Sequence, residues 1–286
     1  MKAPETLQVS CTQLHWTQPI ERNLQRTLLY LGKAAEERSR VAVFPETGIS
    51  SYDFPYALTL KPSQINDALK TVCQAVREAH LWAIVGTLKP TRDRFINLAC
   101  VINPSGKITY EYAKVHMAGR DEQRYCRGGN KIAWFEIDGI PCTMAICRDG
   151  RHPELYRIPA MAGAKILFQP SCSSDEVEAV WWKRISGRAQ QPAGPNSRIF
   201  HCVANTIGTS SNGKQSTSGQ SFIRDPNGLP LAEAGPYQEE MITATLDLSQ
   251  ADRSYARDSL ANPPFLRKHW QAMIRDMKAR AHLKPR

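Results

Sequence analysis

Three side chains in this sequence have types suited to nucleophilic catalysis, and each lies at or just past the end of an apolar run. Glu46 closes Val41-Ala42-Val43-Phe44-Pro45-Glu46, Lys114 follows the strand pattern at 107–113, and Cys147 follows the one at 140–146. In open α/β sheets ligands bind beyond the carboxyl ends of strands, so a carboxylate, an ammonium and a thiol placed there can meet in one pocket. A thiol attacks a carbonyl or nitrile carbon only as its thiolate. A neighbouring carboxylate can take the thiol proton as general base and later return it to the leaving amine. An ammonium can stabilise the thiolate and the oxyanion of a tetrahedral intermediate. Cys147 also stands on a strand–turn–helix corner, the setting of a nucleophile elbow, where backbone N–H groups such as that of Arg148 can complete an oxyanion hole. Each residue also has an ordinary reading: Cys147 as a buried strand thiol, Glu46 as a strand end in solvent, Lys114 as a surface lysine. Periodicity does not decide between the two.

The elements that must position these groups alternate between strand and helix patterns, which argues for a layered α/β fold. Strands are expected at 7–13, 41–44, 82–88, 95–102 and 107–113, with helices at 20–38 and after Ser63 as N-cap. Asp138-Gly139 joins 133–137 to 140–146 as a hairpin. Pro153 suits the first turn of a helix that runs to about 162, and Pro159 inside it predicts a bend. Further strands are expected at 165–169, 198–206, 218–224, 229–232 and 241–248, with a helix at 176–189 and another from about 264. The loops are placed at 50–56, 117–130 and 206–218. Loops on a rigid sheet are where function concentrates. The reading is of one domain over 1–286 with a helical tail.

Composition limits the alternatives. No run approaches the roughly 18 apolar residues of a membrane span, and the first residues lack the apolar stretch of a signal peptide, so a soluble, cytoplasmic protein is expected. The eight cysteines are scattered, without CxxC or zinc spacing, and read as reduced thiols. The net charge of +10 has no clustered face or RNA-binding motif to go with it, so nucleic acid is not expected as a partner. The densest basic stretch, 267–286, reads as a solvated terminal helix, and the excess charge can also draw in anionic substrates.

At this point the residues resemble a known family. The segment ending at Glu46, Tyr112-Ala113-Lys114-Val115-His116, and Ala145-Ile146-Cys147-Arg148-Asp149 followed by Pro153-Glu154-Leu155 resemble the base, lysine and nucleophile segments of the nitrilase (carbon–nitrogen hydrolase) superfamily. Arg188-Ala189, Val203-Ala204-Asn205 and Gly219-Gln220-Ser221 with Asp225-Pro226-Asn227-Gly228 are similar to later landmarks of that family. The resemblance covers roughly 5–250 and implies a four-layer α-β-β-α sandwich, assembled into homo-oligomers. It implies a Cys–Glu–Lys mechanism without metal or cofactor, through a thioester or thioimidate. It also implies a role for Glu122, eight residues after the lysine, in positioning lysine and substrate.

The resemblance bears on substrate as well. Nitrilases proper carry Trp-Glu after the nucleophile, whereas Arg148-Asp149 stands here, closer to the amidase and carbamoylase branches. Cleavage of a small linear amide or N-carbamoyl compound with release of ammonia is therefore expected. A nitrilase, or a silent scaffold homologue, is the alternative. N-carbamoyl-D-amino-acid amidohydrolases have an arginine-rich turn at this place that receives the substrate carboxylate. Arg151 matches one of its positions, while Gly150 replaces another arginine. Arg151 can fork onto a carboxylate or pair with Glu154 or another internal acid. Arg148 and Arg151 on this turn, with Tyr52 and Phe54 after Glu46, are the candidate substrate-binding residues. The sequence itself argues no role for Arg148. His116 and His152 read as structural hydrogen bonders before catalysts.

Overall fold

The computed structural model describes residues 4–16, 19–186, 193–210 and 213–285. Its first half runs β1 (Thr6–His15), α1 (Ile20–Glu36), β2 (Val41–Val43), α2 (Phe54–Ala57), α3 (Pro62–Ala79), β3 (Trp82–Pro90), β4 (Phe95–Ile102), β5 (Ile108–Ala113), α4 (Gly119–Tyr125) and β6 (Cys126–Arg127). A hairpin follows, β7 (Phe135–Ile137) and β8 (Ile140–Met144), then a 3-10 turn over Cys147–Arg151, α5 (Glu154–Ala162) and β9 (Ile166–Pro170). Next come β10 (Ser174–Glu176), α6 (Val177–Ile185), β11 (Phe200–Ala204), β12 (Thr206–Ile207), β13 (Gln215–Thr217), β14 (Phe222–Arg224), β15 (Pro230–Glu233) and β16 (Glu240–Asp247). Helices α7 (Ser254–Ala261) and α8 (Pro264–Arg280) close the chain.

Two sheets lie at the centre. One has the order β12-β1-β2-β3-β4-β5, with β16 also on β1 and β6 on β4; the other has the order β15-β14-β11-β9-β8-β7. Side chains alternate across each strand, and here both faces are buried, so the strands read as continuous apolar runs. Val41 and Val43 of β2 and Ala99 and Val101 of β4 enter the core between the sheets, where they meet Cys142 and Met144 of β8 and Ile166 and Phe168 of β9. Ala42, Leu98 and Cys100 face the other way, onto Leu31 and Ala34 of α1 and Ile65, Val72 and Val76 of α3. On the far side Leu167 packs with Tyr156 and Ala160 of α5 and Ala256 of α7. The result is an α-β-β-α sandwich, as the family resemblance implied. No helix among the described residues is long and apolar enough to cross a membrane.

Strand direction explains why Glu46 and Lys114 share one region. β2 is parallel to β3, while β4 is antiparallel to both β3 and β5, so the carboxyl ends of β2, β3 and β5 lie along one edge.

Several expectations need correction. Helix α3 starts at Pro62 with Lys61 as N-cap, not at Ser63, because proline fits the first helical position and the Gln64 side chain accepts the Lys61 N–H. The loop expected at 50–56 contains the start of α2, capped by Asp53, which accepts the Tyr56 N–H at 3.3 Å. The loop at 117–130 folds into α4 and β6. The strand expected at 198–206 starts only at Phe200, after Arg198 takes a φ of 58°. The helix expected at 176–189 gives up its first residue to β10, which pairs with β13 inside the supposed loop at 206–218. Its last residues, with the Arg188-Ala189 landmark, lie outside the described residues. Helix α5 runs to Ala162 with Pro159 inside it, the extent expected from the sequence.

Candidate active site

Glu46 is held by a close backbone approach. Phe44 still bonds β3, its N–H reaching the Ile84 carbonyl at 2.8 Å, but Pro45 has no N–H and the ladder ends there. The turn that follows presses on Gly86 of β3, where a Cβ would stand 2.3 Å from the Pro45 carbonyl oxygen and 2.5 Å from the Thr47 nitrogen. Only glycine admits that contact.

Lys114 leaves β5 with its N–H on the Asn97 carbonyl at 2.9 Å. Its ammonium is fully buried and lies 2.6 Å from Glu46 Oε1 and 2.8 Å from Glu122 Oε2. Glu122, also buried, sits on α4 and accepts the Ala118 N–H at 2.5 Å and the Tyr52 hydroxyl at 3.1 Å. Asn97 of β4 donates its amide to both acids, at 2.7 Å to Glu46 and 2.6 Å to Glu122. The second oxygen of Glu46 accepts the Cys172 N–H at 2.8 Å.

Cys147 opens the 3-10 turn with a φ of 46°, a left-handed conformation that side chains other than glycine seldom adopt. Strain of this kind persists where surrounding bonds over-determine it. Asp149, two residues on and fully buried, accepts the N–H groups of Val115, His116 and Ile146 and the hydroxyl of Tyr112. Behind the turn, Gln169 donates to the Cys147 carbonyl at 3.2 Å and lies 2.9 Å from His201 Nε2. His201 Nδ1 accepts the Ala193 N–H, so its Nε2 carries the proton and donates to Gln169. Burial drops the His201 pKa to about 3, which keeps this chain neutral. The Cys147 thiol points at the Cys172 carbonyl, 3.7 Å away.

Burial and neighbouring charges shift the titration of all three groups. Burial and then the Glu46 charge push the Cys147 thiol up to about 11, against the opposing pull of Lys114. Burial also raises Glu46 above the usual carboxylate range despite its lysine, which strengthens it as a proton acceptor. Burial alone would lower Lys114, but Glu46, Cys147 and Glu122 together hold it above its ordinary value, so it stays an ammonium.

The four residues that sequence and resemblance marked for catalysis are thus brought together: Glu46, Lys114 and Glu122 in direct contact, with Cys147 beside them. Tyr52 joins them through its hydroxyl on Glu122, and its ring centroid is 5.7 Å from the lysine ammonium. Phe54 does not line a surface; it is buried behind Tyr52 with Leu88, Phe95 and Cys126. Arg148 and Arg151 are exposed at the turn, and neither makes an ion pair within 4 Å among the described residues. The carboxylate nearest in influence to Arg151 is Asp175, whose pKa it helps to lower, rather than Glu154.

His116 and His152 stack with ring centroids 3.4 Å apart and planes at 6°. With Glu154 they bring three potential metal-ligand atoms within 4.8 Å of one another. The nitrogen lone pairs of stacked rings lie in two parallel planes that do not meet, whereas a tetrahedral ion needs them to converge on one point. His116 is instead held by Asp149, 3.1 Å from its Nδ1.

Sequence reasoning missed Asn97, Asp149 and the Gln169–His201 pair. A signal for Asn97 was present: it is an amide in the middle of an otherwise apolar strand, and a buried polar group needs partners. Asp149 lies inside the nucleophile motif, but nothing local in the sequence shows that it is buried under the turn.

The family model of the carbon-nitrogen hydrolases matches residues 8–255, and the chain belongs to that family. It is 26% identical over 255 residues to a 2-oxoglutaramate amidase of Bacillus subtilis (strain 168), covering 85% of this chain and 92% of the relative. It is 28% identical over 244 residues to an (R)-stereoselective amidase of a Pseudomonas species, covering 82% and 85%. In structure it is similar to an amidase from Nesterenkonia sp., with a TM-score of 0.75 over 94% of this chain and 98% of that one, at 18% identity, a likeness of fold.

Proposed function

We propose that this carbon–nitrogen hydrolase cleaves a small linear amide or N-carbamoyl compound and releases ammonia through a Cys147-linked acyl intermediate. The observation that carries this reading is the buried Lys114 ammonium clasped between Glu46 and Glu122 beside Cys147 on its left-handed turn. Glu46 takes the thiol proton as the sulfur attacks the carbonyl carbon. Lys114, with a third proton not used by the two acids, stabilises the thiolate and then the oxyanion. The intermediate collapses as Glu46 returns its proton to the leaving nitrogen, and ammonia departs. Glu46 then takes a proton from water, whose oxygen attacks the thioester; the acid leaves and the thiol is restored. Glu122 holds the lysine in place. The amidase names of the relatives support an amide over a nitrile, as do the residues after Cys147. The exposed guanidinium groups of Arg148 and Arg151 are suited to a substrate carboxylate.

The test is ammonia release by the purified protein across short amides, ω-amides, N-carbamoyl amino acids and nitriles, beside Cys147→Ala. Turnover of at least one amide or carbamoyl compound, lost in the variant, is expected. Activity that survives in the variant removes the mechanism, and turnover of nitriles alone replaces the substrate class.

A further inference from the structure

Asn97 stands directly across the sheet from the lysine, since its backbone carbonyl accepts the Lys114 N–H. An amide nitrogen carries two protons, and here one serves each acid: Nδ2 is 2.7 Å from Glu46 Oε1 and 2.6 Å from Glu122 Oε1. The amide cannot be turned over, because its carbonyl oxygen would then face two carboxylates. As it stands, the side-chain oxygen is buried and accepts no hydrogen bond from the described residues. An acceptor left so is unfavourable, which points to the nitrogen as what this position needs.

Lone-pair accounting assigns the nitrogen a role. Glu46 Oε1 accepts from both Lys114 Nζ and Asn97 Nδ2, which fills its two lone pairs. Among the described residues Oε2 accepts only the Cys172 N–H, so one lone pair remains there for a proton. We infer that Asn97 is a positioning residue that makes Oε2 the basic atom of Glu46 and keeps Glu46 and Glu122 from sharing a proton. The inference rests on the reading of Glu46 as general base. In that step the Cys147 S–H bond breaks, its electron pair stays on sulfur, and the proton forms an O–H bond at Oε2.

The groups that act on Glu46 and its two partners are Lys114, Glu122, Tyr52, Cys147, Cys172 and Cys126, and Lys114 is the one cation among them. Removing the amide takes a donor from both acids and changes no charge. Two carboxylates left with a single ammonium hold a shared proton to higher pH.

The test is the pH dependence of kcat and KM for Asn97→Ala and Asn97→Asp against the unaltered protein, on whichever amide shows Cys147-dependent turnover. The acid limb of kcat/KM is expected to move up by about one pH unit in Asn97→Ala, with kcat lowered roughly tenfold or more and KM little changed. Asn97→Asp has the same shape and serves if the alanine variant fails to fold; its added carboxyl binds a proton with the pair and moves the limb the same way. A limb that coincides with the unaltered protein's overturns the inference, even where kcat falls, since loss of packing alone leaves the limb in place. Cys147→Ala in the same assay separates the two readings: activity there removes the mechanism itself, whereas an inactive Cys147→Ala with unmoved Asn97 limbs removes only the role of Asn97.

Discussion

Tyr112 donates its hydroxyl to Asp149 at 2.9 Å, and through this bond the strand that ends just before Lys114 is fastened to the turn that begins with Cys147. The same carboxylate receives the N–H groups of Val115 and His116, just past the lysine, and of Ile146, just before the cysteine. One buried acid thus sets the spacing between an ammonium carried by one sheet and a thiol carried by the other. Asp149→Asn turns an amide donor toward backbone N–H groups that can only donate, since such groups flank both carboxylate oxygens. A loss of about 3 kcal/mol in stability is expected by urea unfolding, since bonds to charged groups contribute about 1.5–3 kcal/mol each. The kcat/KM is expected to fall roughly 10²-fold, as a misplacement near 1 Å does. Tyr112→Phe, which loses one of these bonds, should fall between the two. An asparagine variant with unaltered kinetics would show that the spacing is set elsewhere.

The Cys147 thiol, held near 11, is protonated in the resting protein at neutral pH. Its alkylation by a small neutral reagent should therefore climb about tenfold per pH unit between roughly pH 7 and 10, without a plateau, because the thiolate fraction does. Fragment-ion mass spectrometry, which locates the label within a peptide, follows this cysteine separately from Cys142 five residues before it and from the six others. A rate already level at about pH 8 would mean a standing thiolate–Lys114 ion pair and an unneeded base.

Glu46→Gln separates reactivity from turnover. The Glu46 charge is the second cause, after burial, that holds the proton on Cys147. Without it the thiol pKa falls, and alkylation at neutral pH speeds up. Turnover should nevertheless drop by about 10²–10⁴, the contribution of a positioned base. Opposite movements of the two rates mark a base; a parallel fall in both would mark a collapsed site.

How far the sequence discloses this site depends on where each partner lies along the chain. Glu46, Lys114 and Cys147 end apolar runs, and strand periodicity places such ends well. The sandwich follows from runs apolar on both faces, which helices on one side and a second sheet on the other must cover. The helix bearing Glu122 is legible only as a loop, because Gly119-Arg120-Asp121-Glu122 has no apolar stripe; it is fixed by tertiary contacts such as the bonds from Asn97 and Tyr52 to Glu122. Phe54 read as a pocket wall because it follows Glu46, yet its neighbours are Leu88 and Phe95 from other strands. Asn97, 51 residues from Glu46 and 25 from Glu122, bonds both, and such pairings have no local signature. The stacking of His116 on His152 is of the same kind, set by a fold that brings two turns together.

Gly86 shows how a residue without a side chain can govern where a buried carboxylate stands. It lies under the turn that presents Glu46, and its neighbours are backbone atoms: the Pro45 carbonyl at 2.3 Å and the Thr47 nitrogen at 2.5 Å from any added Cβ. Backbone cannot swing aside as a long side chain can, so Gly86→Ala must displace the turn or the strand. Overpacking of this kind typically destabilises by about 1–3 kcal/mol. A shift of the turn also lengthens the Glu46–Lys114 contact, now 2.6 Å, so kcat should fall roughly 10²-fold. Gly32→Ala is the matched control. It lies inside α1 with nothing within 4 Å of an added Cβ, so the same substitution should stabilise the helix by about 0.5–1 kcal/mol and leave kinetics unchanged. Thermal melts and steady-state kinetics on the pair read both effects. Equal kinetics in the two variants would mean that the Glu46 turn is not held against β3 in the working enzyme.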